Sequence, residues 1–204
     1  MSWRKWCLGL AVIGWINFTN AQAAQIYPVE GGIVFRGSII SGDHQKFLAA
    51  SKRTKINHIF LDSAGGQVIE ALKLAEQFRA NGFSTHVSSN SICASACVLL
   101  LAGGVVRSAD QGATIAVHVG SGLFSDEIEL EFRRMLREYG VDGARVLASY
   151  FERSMAMLTL KQAHFLLKSG VSLELLELAS SIHHLDAREL SIAEARRFNL
   201  INID

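Results

Sequence analysis

Three short segments of the sequence carry the residue types that acyl transfer requires. Ser95 lies in the segment CASAC, His118 ends the segment TIAVH, and Gly65 and Gly66 follow the segment LDSA. Acyl transfer needs a nucleophile, a base that accepts the proton of the nucleophile, and N–H donors that stabilise the developing oxyanion. A serine, a histidine and a glycine-rich turn could supply these three roles, since a turn without Cβ lets a backbone N–H approach the substrate closely.

The segment around Ser95 also has a purely structural interpretation. CASAC precedes the apolar run VLLLA, and small residues at this point are typical of a tightly packed helix start, with Ser91 as the N-cap. On these residues alone the packing interpretation is the stronger one, because short motifs are weak evidence by themselves. In the functional interpretation, Ser95 opens the helix and the next residue, Ala96, presents a second backbone N–H to the oxyanion.

The elements that must position these residues are predicted to be strands alternating with helices. Strands are predicted at 31–40, 56–63, 83–89, 105–109 and 114–119, and helices after Asp43, from Val68 to about Gly82, and from the CASAC segment. From Asp126 onward the pattern is helical. We therefore expect one α/β domain with a mostly parallel sheet, crossover helices and a helical C-terminal third. In such sheets, sites form at the carboxyl ends of strands, where all three segments lie.

Four segments in this order resemble a known family. They are LDSAGGQVIEALKLAEQFRANG, CASACVLLLAGG, ATIAVH and LSIAEARRFNLIN. They resemble the Clp protease proteolytic subunit and its crotonase-like superfamily, and most of all the exported ClpP-like bacterial proteins that carry a CASAC serine motif. The resemblance covers residues 31–118 and 186–203. It implies a ClpP/crotonase-like fold and serine peptidase activity.

The resemblance also implies roles for individual residues. Ser95 matches the nucleophile that forms the acyl-enzyme, and His118 matches the general base. Gly66 and the N–H of Ala96 match the oxyanion-hole positions. The family's aspartate falls a few residues before LSIAEA; Asp186 lies close by, one residue away from the family's spacing, and we take it as the residue that orients His118. With this resemblance, the functional interpretation of Ser95 becomes the preferred one.

The N-terminal segment predicts export. Residues 1–23 begin with two basic residues, continue with an apolar run at 6–18 and end with the small-residue sequence AQA, which is typical of a cleaved signal peptide. We therefore expect a mature domain of residues 24–204 in the periplasm or another extracytoplasmic compartment. If the segment is retained instead, it anchors the protein in the membrane.

Export changes the interpretation of the cysteines. Cys7 leaves with the signal, so the mature chain keeps Cys93 and Cys97. An oxidising compartment favours a disulfide, and two positions four apart on a helix have Cα atoms about 6 Å apart, which a disulfide tolerates. Two small buried thiols are the equal alternative. No further cysteine or histidine spacing completes a zinc site, and we expect neither a metal nor another cofactor.

The charge of the mature chain restricts its partners. Loss of residues 1–23 leaves 18 Lys and Arg against 19 Asp and Glu, a formal net charge of −1. This balance does not favour nucleic acid. The expected partner is a peptide or protein substrate, and a homo-oligomer is compatible with the resemblance. Two alternatives stay open: a catalytically inactive ClpP-like scaffold or binding module, and acyl-thioester chemistry, against which export argues.

Overall fold

The computed structural model describes residues 23–52, 57–120, 126–183 and 185–203, without the side chains of 126–129. Nearly all of the predicted signal segment, residues 1–22, lies outside the described residues. Across the ranges that are described, no helix combines the length and the apolar character needed to cross a bilayer.

Strands and helices alternate through the first half of the described chain, as the sequence predicts. The strands are β1 (Gln25–Val29), β2 (Gly32–Arg36), β3 (His58–Asp62), β4 (Ser84–Val87), β5 (Ile92–Ala94), β6 (Arg107–Ala109), β7 (Thr114–Val117) and β8 (Arg188–Leu190). The helices are α1 (Asp43–Ser51), α2 (Val68–Ala80), α3 (Cys97–Gly103), α4 (Asp126–Lys168), α5 (Glu174–Ser181) and α6 (Ile192–Arg197).

The strands form two sheets where the sequence predicted one. A five-stranded sheet has the order β1-β2-β3-β4-β6 and is parallel except for β1. A three-stranded sheet has the order β5-β7-β8, with β5 parallel and β8 antiparallel to β7. The sheets meet where β3 ends, because Ser63 N–H donates to Ile92 O at 2.7 Å and Ala94 N–H donates to Ser63 O at 3.0 Å.

Helix α3 lies in the centre of the core. All seven of its residues are buried, and it packs against α2 so closely that a Cβ at Gly103 would lie 2.7 Å from the carbonyl oxygen of Ala75. Thr85 Oγ1 in β4 donates to the Leu101 carbonyl at 2.7 Å. The helix that follows the CASAC segment is therefore fixed in position by a neighbouring helix and by the larger sheet.

Two elements differ from the sequence prediction, in both cases because a distant strand pairs with them. The helix begins at Cys97, and Ser91 is not its N-cap, since Ile92–Ala94 pair with β7 as a strand. In the C-terminal third, Arg188–Leu190 form β8 on the other edge of β7. In both cases a partner distant in the chain satisfies the backbone, which local propensity does not anticipate. Within the helical C-terminal third, Gly140 (φ 62°) interrupts α4.

Arg107 joins the C-terminal ends of three helices. Its side chain is 2 % exposed, and its guanidinium donates to the carbonyl oxygens of Gly104 after α3, Ser169 after α4, and Asn199 and Leu200 after α6, at 2.8 to 3.3 Å. Helix C-termini carry unpaired carbonyls and partial negative charge, so a buried cation stabilises them. This single side chain fastens the helical C-terminal third to the larger sheet.

We expect Arg107→Met to lower the free energy of unfolding by about 3 kcal/mol or more, because it leaves three buried carbonyls and one part-buried carbonyl without a donor. Urea denaturation followed by circular dichroism measures this loss. Arg36→Met is the matched control, since Arg36 is exposed and pairs with Asp62 at the surface, where such a pair contributes less than about 1 kcal/mol. Equal losses in the two variants would contradict the role of Arg107.

Candidate active site

Ser95 occupies a strained turn between a strand and a helix. It follows β5, lies two residues before α3 and is half-buried. Its φ is 56°, in the left-handed region, which costs a residue with a Cβ about 1–2 kcal/mol. Its N–H donates to Ala116 O in β7 at 3.0 Å, and its carbonyl accepts from Val98 N–H at 3.0 Å. A sharp, strained strand-to-helix turn of this kind displays a nucleophilic hydroxyl.

Gly65 lies directly against this turn. Its φ is 107°, and a Cβ added there would lie 2.7 Å from the Cβ of Ser95 and 2.8 Å from the carbonyl oxygen of Ala94. Its N–H donates to Ser63 Oγ at 3.1 Å. The sequence predicted a Gly65–Gly66 turn facing Ser95 and singled out Gly66 for the oxyanion hole, but it did not show that Gly65 is the glycine in contact with the serine. The signal available was the glycine pair, since two glycines after a strand indicate close approach of another backbone.

The two predicted oxyanion-hole positions lie in different turns, Gly66 before α2 and Ala96 before α3. No described residue accepts a hydrogen bond from the N–H of Gly66 or of Ala96. On either side of Gly66, Gly65 O accepts from Ile39 N–H at 2.8 Å and Gln67 N–H donates to Ile39 O at 2.9 Å. A Cβ at Gly66 would lie 2.2 Å from Ile39 O. Gly66 is therefore required by the fold as well. A bulky residue there would disrupt the backbone pairing with Ile39 and not only the site.

His118 follows β7 and is half-buried. Its Nδ1 lies 2.9 Å from the carbonyl oxygen of Val119. A carbonyl can only accept, so Nδ1 is the protonated nitrogen and Nε2 of the neutral ring carries the lone pair. This is the tautomer that a general base needs when Nε2 accepts the proton of a serine.

Ser95 and His118 line the same small pocket, whose volume is about 50 Å³. Its apolar walls come from α2, α3, α4 and α5, through Val68, Leu99, Leu166 and Leu175 among others. No hydrogen bond joins the Ser95 hydroxyl to His118 within the described part of the chain. Catalytic hydrogen bonds are often long in unliganded sites and tighten around the substrate.

Asp186 makes no hydrogen bond to His118 in the described part of the chain. It is exposed, and its backbone N–H donates to His183 O at 2.9 Å. Val117 pairs with Arg188, so continuing this antiparallel register by one residue places Ala187, not Asp186, opposite His118. The carbonyl of Val119 takes the hydrogen bond from Nδ1 in this structure. The orienting role of Asp186 stays a prediction.

Cys93 and Cys97 are joined by a disulfide, with Cα atoms 5.1 Å apart, and both are fully buried. The sequence left a disulfide and two buried thiols as equal alternatives, and the structure contains the disulfide. The reasoning from one helix was wrong, because Cys93 lies in β5 and only Cys97 lies in α3. The bridge therefore links a strand of the smaller sheet to the central helix.

A buried carboxylate fixes the helices that flank the glycine turn. Glu70 in α2 accepts from the backbone N–H and from Nδ1 of His44 in α1, at 2.8 and 2.6 Å. Burial raises the pKa of Glu70, but the hydrogen bonds from His44 and the charge of Lys73 outweigh burial and lower it. The charged form thus ties the start of α2 to α1, next to the Gly65–Gly66 turn.

We expect Gly65→Ala to lower the free energy of unfolding by about 2–4 kcal/mol, because the new methyl overlaps the Ser95 turn in addition to straining its own backbone. Gly82→Ala is the matched control: Gly82 has φ 69° with nothing within 4 Å of an added Cβ, so only the backbone strain of about 1–2 kcal/mol remains. Urea denaturation of both variants measures the difference. If both substitutions lower the free energy of unfolding by the same amount, Gly65 is required only for its backbone conformation and not for its contact with Ser95.

Comparison with known proteins supports the fold. No protein-family model matches this chain, and no curated protein matches it in sequence. Among solved structures, a point mutant of ClpP1 from Listeria monocytogenes is similar, with 19 % sequence identity and a TM-score of 0.52. The alignment covers 83 % of this chain and 87 % of that chain. The chain therefore has a ClpP-like α/β fold.

Proposed function

We propose that this protein is an exported serine peptidase, with Ser95 as nucleophile and His118 as general base. The observation that carries the proposal is the strained turn: Ser95 has a left-handed backbone and shares a pocket with the base. Strained residues of this kind are concentrated at functional sites, because only a surrounding structure that over-determines them keeps them in place. The ClpP-like fold supports the same reaction class.

In the proposed reaction, each step of acyl transfer has a residue that performs it. Ser95 Oγ attacks the peptide carbonyl while His118 Nε2 takes its proton. The N–H groups of Ala96 and Gly66 donate hydrogen bonds to the oxyanion. His118 then gives the proton to the leaving amine, which departs as the acyl-enzyme forms. A water molecule, deprotonated by His118, hydrolyses the ester and releases Ser95.

The expected substrate is an extended peptide beside the turn at Gly66, where main-chain hydrogen bonds hold a strand-like ligand. The small apolar pocket suits a short aliphatic side chain next to the scissile bond. A homo-oligomer belongs to the same proposal. Helix α4 carries large apolar side chains that are more than 60 % exposed, including Leu130, Tyr139, Tyr150 and Leu160. Such residues are typical of surfaces that a partner covers.

A catalytically inactive scaffold is the second candidate. Two observations favour it: the absence of a hydrogen bond between Ser95 and His118 among the described residues, and the position of Asp186 away from the ring. In this alternative, the pocket and the glycine turn bind a peptide without cleaving it. Reactivity of Ser95 separates the two candidates.

We expect a fluorophosphonate probe to label the mature wild-type protein, because the probe forms a covalent bond only with an activated serine. Ser95→Ala should abolish labelling, and His118→Ala should slow it by a factor of about 10²–10⁴, the usual contribution of a general base. Mass spectrometry of the labelled peptide identifies the site. The controls are Ser91→Ala, on the same segment outside the turn, and the exposed His58→Ala; both should label at the wild-type rate. An unlabelled but folded wild-type protein would establish the scaffold alternative.

We expect the mature chain to begin at Ala24 and to occur outside the cytoplasm. Ala24 is buried, and its N–H donates to Ser38 O at 3.0 Å, so cleavage here would fall at the edge of the folded domain. The intact mass of protein from the cell envelope tests this. Ala23→Leu should block cleavage, because the peptidase requires a small residue before the cut. A wild-type chain that keeps Met1 in the cytoplasm would contradict export.

A further inference from the structure

The disulfide encloses the candidate nucleophile. Cys93 and Cys97 each lie two residues from Ser95, so the bridge closes a ring of five residues with the serine in the middle. Ser95 is also the one member of this ring with a left-handed backbone. The covalent link therefore spans the one point at which the chain is strained between β5 and α3.

Only the strand side of this turn is hydrogen-bonded to other elements. On that side, Ala94 N–H donates to Ser63 O and Ser95 N–H donates to Ala116 O, both at 3.0 Å. On the helix side, Val98 N–H donates to Ser95 O at 3.0 Å and Leu99 N–H to Ala96 O at 3.2 Å, both from α3 itself, and the N–H of Ala96 has no acceptor among the described residues. The site requires this gap, because an N–H that binds an oxyanion must not already be bonded to protein.

The bridge supplies a restraint on that side. It joins Cys93, which is held in the sheet by β7, to Cys97, the first residue of the buried helix α3. Both cysteines are fully buried, whereas Ser95 and Ala96 line the pocket. The sulfur atoms thus lie on the core side of the turn and leave the pocket side to the substrate.

We propose that the Cys93–Cys97 disulfide is a positioning device that holds Ser95 and the Ala96 N–H in the geometry for catalysis. This inference rests on the proposed peptidase function. Formation of the bridge removes two electrons and two protons from the thiols, and a disulfide or quinone oxidant of the oxidising compartment accepts them. Full activity then requires oxidative folding, and the buried bridge resists reductants once the protein is folded.

The test compares three forms of the mature protein: the oxidised wild type, the wild type refolded from guanidinium chloride in dithiothreitol, and Cys93→Ala/Cys97→Ala. Dithiothreitol supplies the two electrons and two protons and becomes its cyclic disulfide. The reduced wild type keeps every side chain, so it separates loss of the bond from loss of packing. Circular dichroism at a temperature well below all three melting points verifies that each form is folded.

Two readouts are measured on each form. The first is fluorophosphonate labelling, from which the binding constant of the probe and the maximal rate of labelling are both obtained. If the bridge positions Ser95, its loss should lower the maximal rate by about 10- to 100-fold and leave the binding constant unchanged. The second is hydrogen exchange of the Ala94 and Ser95 amides, which should become at least about tenfold faster in the forms without the bond. Reoxidation of the reduced wild type with oxidised glutathione should restore both values, and the Ala/Ala variant should not respond.

The outcomes separate this inference from the proposed function. If the oxidised wild type is not labelled, the peptidase proposal fails, and the exchange rates alone still decide whether the bond holds the turn. If labelling and exchange are the same in all three folded forms, the disulfide has no positioning role. Faster labelling without the bond would also overturn the inference, because the bridge would then distort the site.

Discussion

The left-handed backbone of Ser95 can exist only because its neighbours leave room for it and hold it. Gly65 leaves room, since any side chain at that position would overlap the serine. The carbonyl of Ala116, in the smaller sheet, holds the turn by accepting a hydrogen bond from Ser95 N–H. The disulfide holds the turn by linking it to the central helix. These contacts come from four parts of the chain, so the turn depends on both sheets being assembled.

The larger architecture explains how the fold tolerates this strain. A left-handed serine costs about 1–2 kcal/mol. The helix that follows is buried on all sides. Thr85 donates to its Leu101 carbonyl, and Arg107 donates to the carbonyl of Gly104 directly after the helix and also binds the ends of α4 and α6. The strained turn is therefore followed by a helix that contacts from several elements hold in place.

The sequence predicted the elements whose patterns are local and missed those that distant partners impose. The apolar spacing of α2 and the runs of β2, β3 and β4 were sufficient to place them. By contrast, β5 is a strand because Ser63 and β7 pair with it, and β8 is a strand because β7 has a free edge. The glycine pair indicated a close approach, but which glycine touches Ser95 depends on the junction of the two sheets, which no local pattern encodes.

The environment of His118 defines what kind of base it can be. The carbonyl of Val119 selects the tautomer that leaves Nε2 free, so the ring is ready to accept a proton. A carbonyl carries only a partial charge, so it would stabilise the imidazolium of the proposed mechanism less than a carboxylate would. For Asp186 to take that place, the chain would have to shift by one residue against β7. The hydrogen bond from Val119 N–H to Ile182 O opposes this shift. In the proposed mechanism Ser95 and His118 would therefore act as a dyad, with the tautomer of His118 set by the Val119 carbonyl.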